Sequence, residues 1–116
     1  MKDSKIDLGE RKCIPCSGKE EPLKREEINK LHGQINNGWQ VVDDKKLRKN
    51  YPFENFKRGM VFVNDIALLA DDEQHHPDVC IHYKNVEIEL TTHAIGGLSE
   101  NDFIMAAKID NLQKNK

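Results

Sequence analysis

Apolar residues in this chain recur first at helical spacing and then at strand spacing, and the cycle repeats. Leu23, Ile28, Leu31 and Ile35 fall at helix-compatible intervals among Lys, Arg, Glu and Asn, which predicts a first helix ended by Asn36-Asn37-Gly38. The stretches 39–43 and 47–53 read as a hairpin turning around Asp43-Asp44-Lys45-Lys46, with Pro52 closing the second strand. Phe53, Phe56, Met60, Val63, Ala67 and Ala70 alternate three- and four-residue steps and predict the longest helix. Phe62, Ile66 and Leu69 widen its stripe, as expected of a helix that meets a sheet and a second surface besides. Residues 71–77 read as a connection ended by Pro77.

The second half repeats the theme. Val79, Ile81 and Tyr83 alternate with Cys80 and His82, and Val86, Ile88, Leu90 and Thr92 alternate with Glu87, Glu89, Thr91 and His93. Lys84-Asn85 is the expected two-residue turn between them. Gly96-Gly97 breaks the pattern, and Ser99-Glu-Asn-Asp102 resembles a capping box, with Ser99 as N-cap and Asp102 three positions on. Phe103, Ala106, Ala107 and Ile109 carry the last helix. The order α-β-β-α-β-β-α predicts an α+β fold, a four-stranded antiparallel sheet with three helices packed on one face. Residues 1–22, with Pro15, Pro22, Gly9, Gly18 and many charges, read as an irregular N-terminal arm, and 23–113 as a single domain.

The chain has 116 residues, a one-domain length that buries roughly two-thirds of the surface of its extended form. Its 18 Lys and Arg against 20 Asp and Glu leave a net charge of −2, which argues against nucleic acid as a partner. No apolar run approaches the ~20 residues of a membrane span. Residues 1–10 hold no signal-type apolar segment, so the expected location is cytoplasmic. Charged residues make up 33% and hydrophobic ones 37%; so polar a small domain is expected to bury apolar surface in a homo-oligomer, and an open sheet edge invites that pairing. Three cysteines without an export signal do not make a disulfide framework.

Histidines carry the candidate chemistry. Of five, His75, His76 and His93 lie within 19 positions. If the last two strands form a hairpin, with 78–83 opposite 86–91, His93 returns to the neighbourhood of residues 75–77 and the three imidazoles share one pocket. Imidazole, with an ordinary pKa near ~6.5, can donate or accept a proton near neutrality.

The spacing Asp71-x3-His75-His76-Pro77-x5-Tyr83-x9-His93-x8-Asp102 resembles the signature of the pterin-4a-carbinolamine dehydratase family. Cys13-Ile-Pro-Cys16-x-Gly18 followed by Pro22-Leu23 resembles the arm of bacterial and plant members, and the likeness runs from about Lys12 to Ile109. The resemblance implies dehydration of 4a-hydroxytetrahydropterin to quinonoid dihydropterin and water, recycling the cofactor of aromatic amino-acid hydroxylases. It implies no metal and no organic cofactor, and assembly as a homodimer or homotetramer. His75 and His76 become the acid–base pair at C4a and N5, and His93 a group orienting the substrate hydroxyl. Asp71 orients an imidazole, and Pro77, Thr92, Ala94 and Ile95 line the site. Two other readings stay open: a protein-binding module of the dimerisation-cofactor type, and a pterin-binding role in molybdopterin metabolism.

Plainer accounts suit the remaining features. His32, in the first helix, and His82, on the polar side of its strand, read as structural or surface residues. Helix capping accounts for Asp102 without a catalytic role. Lys24 stands where many relatives have Thr or Ser, a weaker N-cap. Cys13 and Cys16 lack a second cysteine pair to complete a structural zinc site, so packing of the arm is expected.

Overall fold

The computed structural model describes residues 8–14, 17–35 and 38–114. Cys16, Asn36 and Asn37, on which expectations rested, lie outside them. Three helices, α1 (Arg25–His32), α2 (Phe56–Glu73) and α3 (Glu100–Lys114), accompany four strands, β1 (Gln40–Val42), β2 (Lys46–Pro52), β3 (Asp78–His82) and β4 (Asn85–Leu90). The strands form one antiparallel sheet in the order β1-β2-β4-β3. This is the expected α+β arrangement.

The sheet follows from strict alternation on its central strands. Leu47 and Tyr51 of β2 and Val86, Ile88 and Leu90 of β4 are buried on the helix-covered face. Arg48 and Glu89 stand opposite one another on the other face, 2.7 Å apart. The β1–β2 turn has Asp43 and Asp44 at φ 54° and 57° and is closed by the Lys45 N–H on Val42 O at 2.9 Å. That left-handed geometry matches the twist of paired strands. The second hairpin departs from expectation by one residue: Tyr83-Lys84 form the turn, His82 pairs with Asn85, and Asp78 pairs with Glu89. Tyr83 takes φ 53° there. Moving a two-residue turn by one position shifts the pairing by two, so each side chain keeps its face.

Helix α2 begins later and ends later than its apolar spacing suggests. Asn55 caps it, its side chain accepting from the Arg58 N–H at 2.9 Å, so Phe53 packs on the core from outside the helix. The buried face runs through Gly59, Phe62, Ile66, Ala70 and Glu73. The supposedly leading stripe is the more open one: Phe56 is 48% exposed and Ala67 lies at the surface. Gln74, at φ 56°, ends the helix, so Asp71 belongs to its last turn and not to a connection.

Helix α3 is buried on nearly every side from Asn101 to Ala106. An all-round buried helix needs cover on two sides. The sheet and α2 supply one; the N-terminal arm supplies the other. Far from being wholly irregular, the arm contains a 3-10 turn, Leu8–Glu10, whose Leu8 is buried. The arm's Cys13 N–H donates to Glu73 Oε1 at 2.8 Å, and Lys108 Nζ reaches Gly9 O at 3.1 Å. Burial pushes the Cys13 thiol up to about 12, with the nearby Glu73 carboxylate adding to the effect, so the thiol stays protonated.

One buried carboxylate joins α3 to the sheet. Asp110 accepts from Trp39 Nε1 at 3.0 Å, from Lys49 Nζ at 2.7 Å and from the Tyr51 hydroxyl. Burial and the Asp110 charge together hold the Tyr51 phenol well above its ordinary value, so it remains a donor. Asp110→Ala would leave three donors, one of them charged, without their acceptor. It is expected to cost about 3–5 kcal/mol, read as a lower urea midpoint.

Glu73 also governs acid stability. Burial alone would raise its pKa, but the Cys13 N–H, Lys108 and Lys12 outweigh that and hold it below its ordinary value. A carboxyl so depressed contributes stability that is complete above the unfolded-state pKa and is lost as pH falls through the folded one. Glu73→Gln is therefore expected to flatten the loss of stability below about pH 5, measured as urea midpoints from pH 7 to 3.

Candidate functional site

The segments that follow α2 and β4 converge beside the start of α3. Helix α2 stops at Gln74, and the His75 N–H turns back to Ala70 O at 3.2 Å. This reversal delivers His75 and His76 in succession on non-helical backbone. On the other side the chain leaves β4 at Leu90 and forms a second 3-10 turn, His93–Ile95. His93 therefore opens a turn and does not end the strand. Gly96, at φ 70°, closes that turn, and Thr92 bridges to Gly97. A Cβ on Gly97 would stand 2.8 Å from Pro22 of the arm, so only glycine allows the arm this close.

Between these ends lies a cleft of about 460 Å³ lined by Gln74, His75, His76, Thr91, Thr92, His93, Ala94 and Asn101. Its volume suits a small-molecule ligand. A depression of about 820 Å³ elsewhere is lined only by residues 21–27, one continuous surface stretch without an imidazole. The imidazoles gather at the smaller cleft. All three singled-out histidines reach it, as do Thr92 and Ala94; Pro77 and Ile95 are half-buried nearby and are not among its lining residues. Gln74, Thr91 and Asn101 line it without having been anticipated.

Two of the imidazoles are held by carboxylates, in contrasting surroundings. His75 Nε2 lies 2.6 Å from Asp102 Oδ1, with side-chain exposures of 11% and 0%. His76 Nε2 lies 2.9 Å from Asp71 Oδ1, with both side chains open to solvent. A carboxylate oxygen can only accept, so in the neutral ring each pair fixes the proton on Nε2 and leaves Nδ1 as the acceptor. His32 donates to Trp39 O at 2.6 Å, and His82 contacts Cys80 Sγ at 3.2 Å on the exposed strand β3; neither lines the cleft.

Asp102 does more than start a helix. Its Oδ2 accepts from the Ser99 N–H at 3.0 Å and from the Thr92 hydroxyl at 2.9 Å, while Oδ1 serves His75. The Thr92 hydroxyl has one proton, and it goes to Asp102, so the Ser99 hydroxyl 2.8 Å away donates to Thr92. The capping box is thus half-used: the acid caps Ser99, whereas the Ser99 hydroxyl braces Thr92. The local pattern explains only the cap, although the nine-residue step from His93 to Asp102 is part of the matched spacing.

Several comparisons bear on what this cleft is. Residues 21–112 match the family model described as Pterin 4 alpha carbinolamine dehydratase. Proteins named "Putative pterin-4-alpha-carbinolamine dehydratase" from Nitrosomonas europaea and Nitrosomonas eutropha are similar throughout. The first is 50% identical over 109 residues, covering 94% of this chain and 96% of its own. The second is 48% identical over 106 residues, covering 91% and 93%. The crystal structure of a transcriptional coactivator/pterin dehydratase from Brucella melitensis superposes with a TM-score of 0.74 at 30% identity, over 79% of this chain and 98% of that one. A pterin dehydratase-like protein described as a RuBisCO assembly factor in the alpha-carboxysome shares the fold, at TM-score 0.56 and 22% identity over 66% of this chain and 94% of its own. With the matched span reaching from the end of the arm through the last helix, and the likeness extending over whole relatives, the chain belongs to the pterin 4 alpha carbinolamine dehydratase family.

Proposed function

We propose that this protein dehydrates pterin-4a-carbinolamine, expelling the C4a hydroxyl as water and leaving the quinonoid dihydropterin. The observation that carries this reading is the convergence of three imidazoles on one cleft, two of them each held at Nε2 by a carboxylate. The reaction needs two proton transfers. A protonated imidazole gives its proton to the departing hydroxyl, the C4a–O bond breaks, and a neutral imidazole takes the N5 proton as the C4a–N5 double bond forms. One proton is given and one taken, so the protein returns to its starting state after proton exchange. His75 and His76 are the exchanging pair, and His93 orients the hydroxyl from the opposite turn. Asp102 and Asp71 hold the rings through Nε2 and so fix their orientation.

Regeneration of the cofactor of an aromatic amino-acid hydroxylase is the physiological role we infer from this chemistry. Strand β3, an edge strand with Val79 at 37% and Ile81 at 39% exposure, supports a homo-oligomer joined at that edge. Among the described residues no helix is long and apolar enough to cross a membrane. A protein-binding role gains some support from the coactivator named among the structural relatives and from the exposed Phe56, Val61 and Leu68 on α2.

Purified protein is expected to accelerate loss of the carbinolamine absorbance in a coupled hydroxylase assay. His75→Ala and His76→Ala should each slow that step by roughly 10²–10⁴-fold. Full activity in both variants would remove the histidines from the mechanism. Asp102→Asn, which leaves a single oxygen for three donors, should lower activity and also destabilise by about 1–3 kcal/mol.

A further inference from the structure

Beyond the three histidines, the N-terminal arm reaches the site without entering it. The Ile14 N–H donates to Asn101 Oδ1 at 2.9 Å, and Asn101 Nδ2 donates back to Ile14 O at 2.6 Å. One residue earlier, the Cys13 N–H donates to Glu73 Oε1 at 2.8 Å, and its thiol lies 3.7 Å from Asn101 O. Two adjacent arm residues therefore grip two different helices, α2 at its last residue and α3 near its first. Those grips flank the buried imidazole–carboxylate pair: Glu73 precedes His75 by two positions, and Asn101 immediately precedes Asp102. Just past the arm, the Leu23 N–H donates to Leu98 O at 2.8 Å.

We propose that the arm is a positioning strap, in which Asn101 and Glu73, clamped by Ile14 and Cys13, set the distance between His75 and Asp102. Asn101 is 8% exposed, and both ends of its amide are committed to Ile14. Glu73 is 6% exposed, with Lys108 at 3.5 Å and Lys12 at 3.8 Å as its other partners. Were the arm released, the amide would lose both partners and the carboxylate its N–H donor. Such buried groups regain hydrogen bonds only by moving toward water. The helix ends that carry them would separate, and the 2.6 Å contact of His75 with Asp102 would lengthen. Asn101 is thus a positioning residue that acts through Asp102 and His75, although its side chain borders the cleft.

Asn101→Asp separates positioning from folding. It preserves shape and places an acid in the first turn of α3, where the helix dipole favours it. It also turns a carboxylate oxygen toward the Ile14 carbonyl in place of the donor. The primary readout is the ¹⁵N signals of the His75 ring, which report its tautomer and hydrogen bonding without any substrate. They are expected to move in folded Asn101→Asp, and to move less, in the same direction, in Glu73→Gln. The kinetic readout rests on the dehydratase reading: kcat should fall roughly ten- to a hundred-fold, with KM within about two-fold of the parent. Unmoved His75 signals in the folded variants would overturn the strap. A fall in kcat that merely tracks the folded fraction, or a rise in KM at constant kcat, would do so as well. If the unmodified protein leaves the carbinolamine untouched, the dehydratase reading fails, and the His75 signals still decide the strap.

Discussion

A single fully buried carboxylate, Asp102, holds the histidine-lined end of the molecule together. A charge removed from water must be repaid in hydrogen bonds, and Asp102 collects them from three elements: the Ser99 N–H at the start of α3, the Thr92 hydroxyl after β4, and His75 beyond α2. Each donor is fixed in place by the same oxygen pair that needs it. The loop between β4 and α3, the first turn of α3 and the reversal after α2 are consequently one unit. Its rigidity gives His75 a defined orientation before any ligand arrives, which is where preorganised sites gain their advantage.

Around that anchor the site is deliberately unequal. His75 is nearly enclosed and its partner completely so, whereas His76 and Asp71 face solvent. Water screens the outer pair far more than the inner one, so the same two residue types give two different electrostatic settings a few residues apart. The cleft between them is built of short segments at element ends, where side chains can be re-aimed without disturbing the sheet.

Much of this was legible from one dimension. Alternation along β2 and β4 and the capping pattern at Ser99 depend on local periodicity, which survives in any context that buries one face. The spacing of His75, His76 and His93 placed them correctly in one cleft, because a hairpin folds back by a geometry that sequence separation nearly dictates. A one-residue error at the Tyr83-Lys84 turn did not matter, since the shift preserved which face each side chain occupies. Less legible were features governed by contacts distant in sequence. The buried face of α2 is centred on Phe62 and Ile66 because the sheet and α3 lie there, while Phe56 and Ala67 of the equally regular second stripe face solvent.

What the sequence determined by itself, then, is the order of elements, the antiparallel α+β architecture and the identity of three histidines that converge, all consequences of local period and short-range return. Apart from Asp71, only the tertiary structure decided which groups attend them. Asp102 is a cap by local rules and an imidazole partner by its burial; Glu73 reads as part of a connection, Asn101 as part of a capping pattern, and no local signal marks Asp110. They are buried because the arm closes over the end of α2 and the start of α3, and the sheet covers α3 from the other side. Pairings that span 60 to 88 positions, such as those of Cys13 with Glu73 and Asn101, leave no periodic trace in the chain. Their physical basis is the demand that every polar group taken out of water find a partner, and that demand arises only once the chain has closed around them.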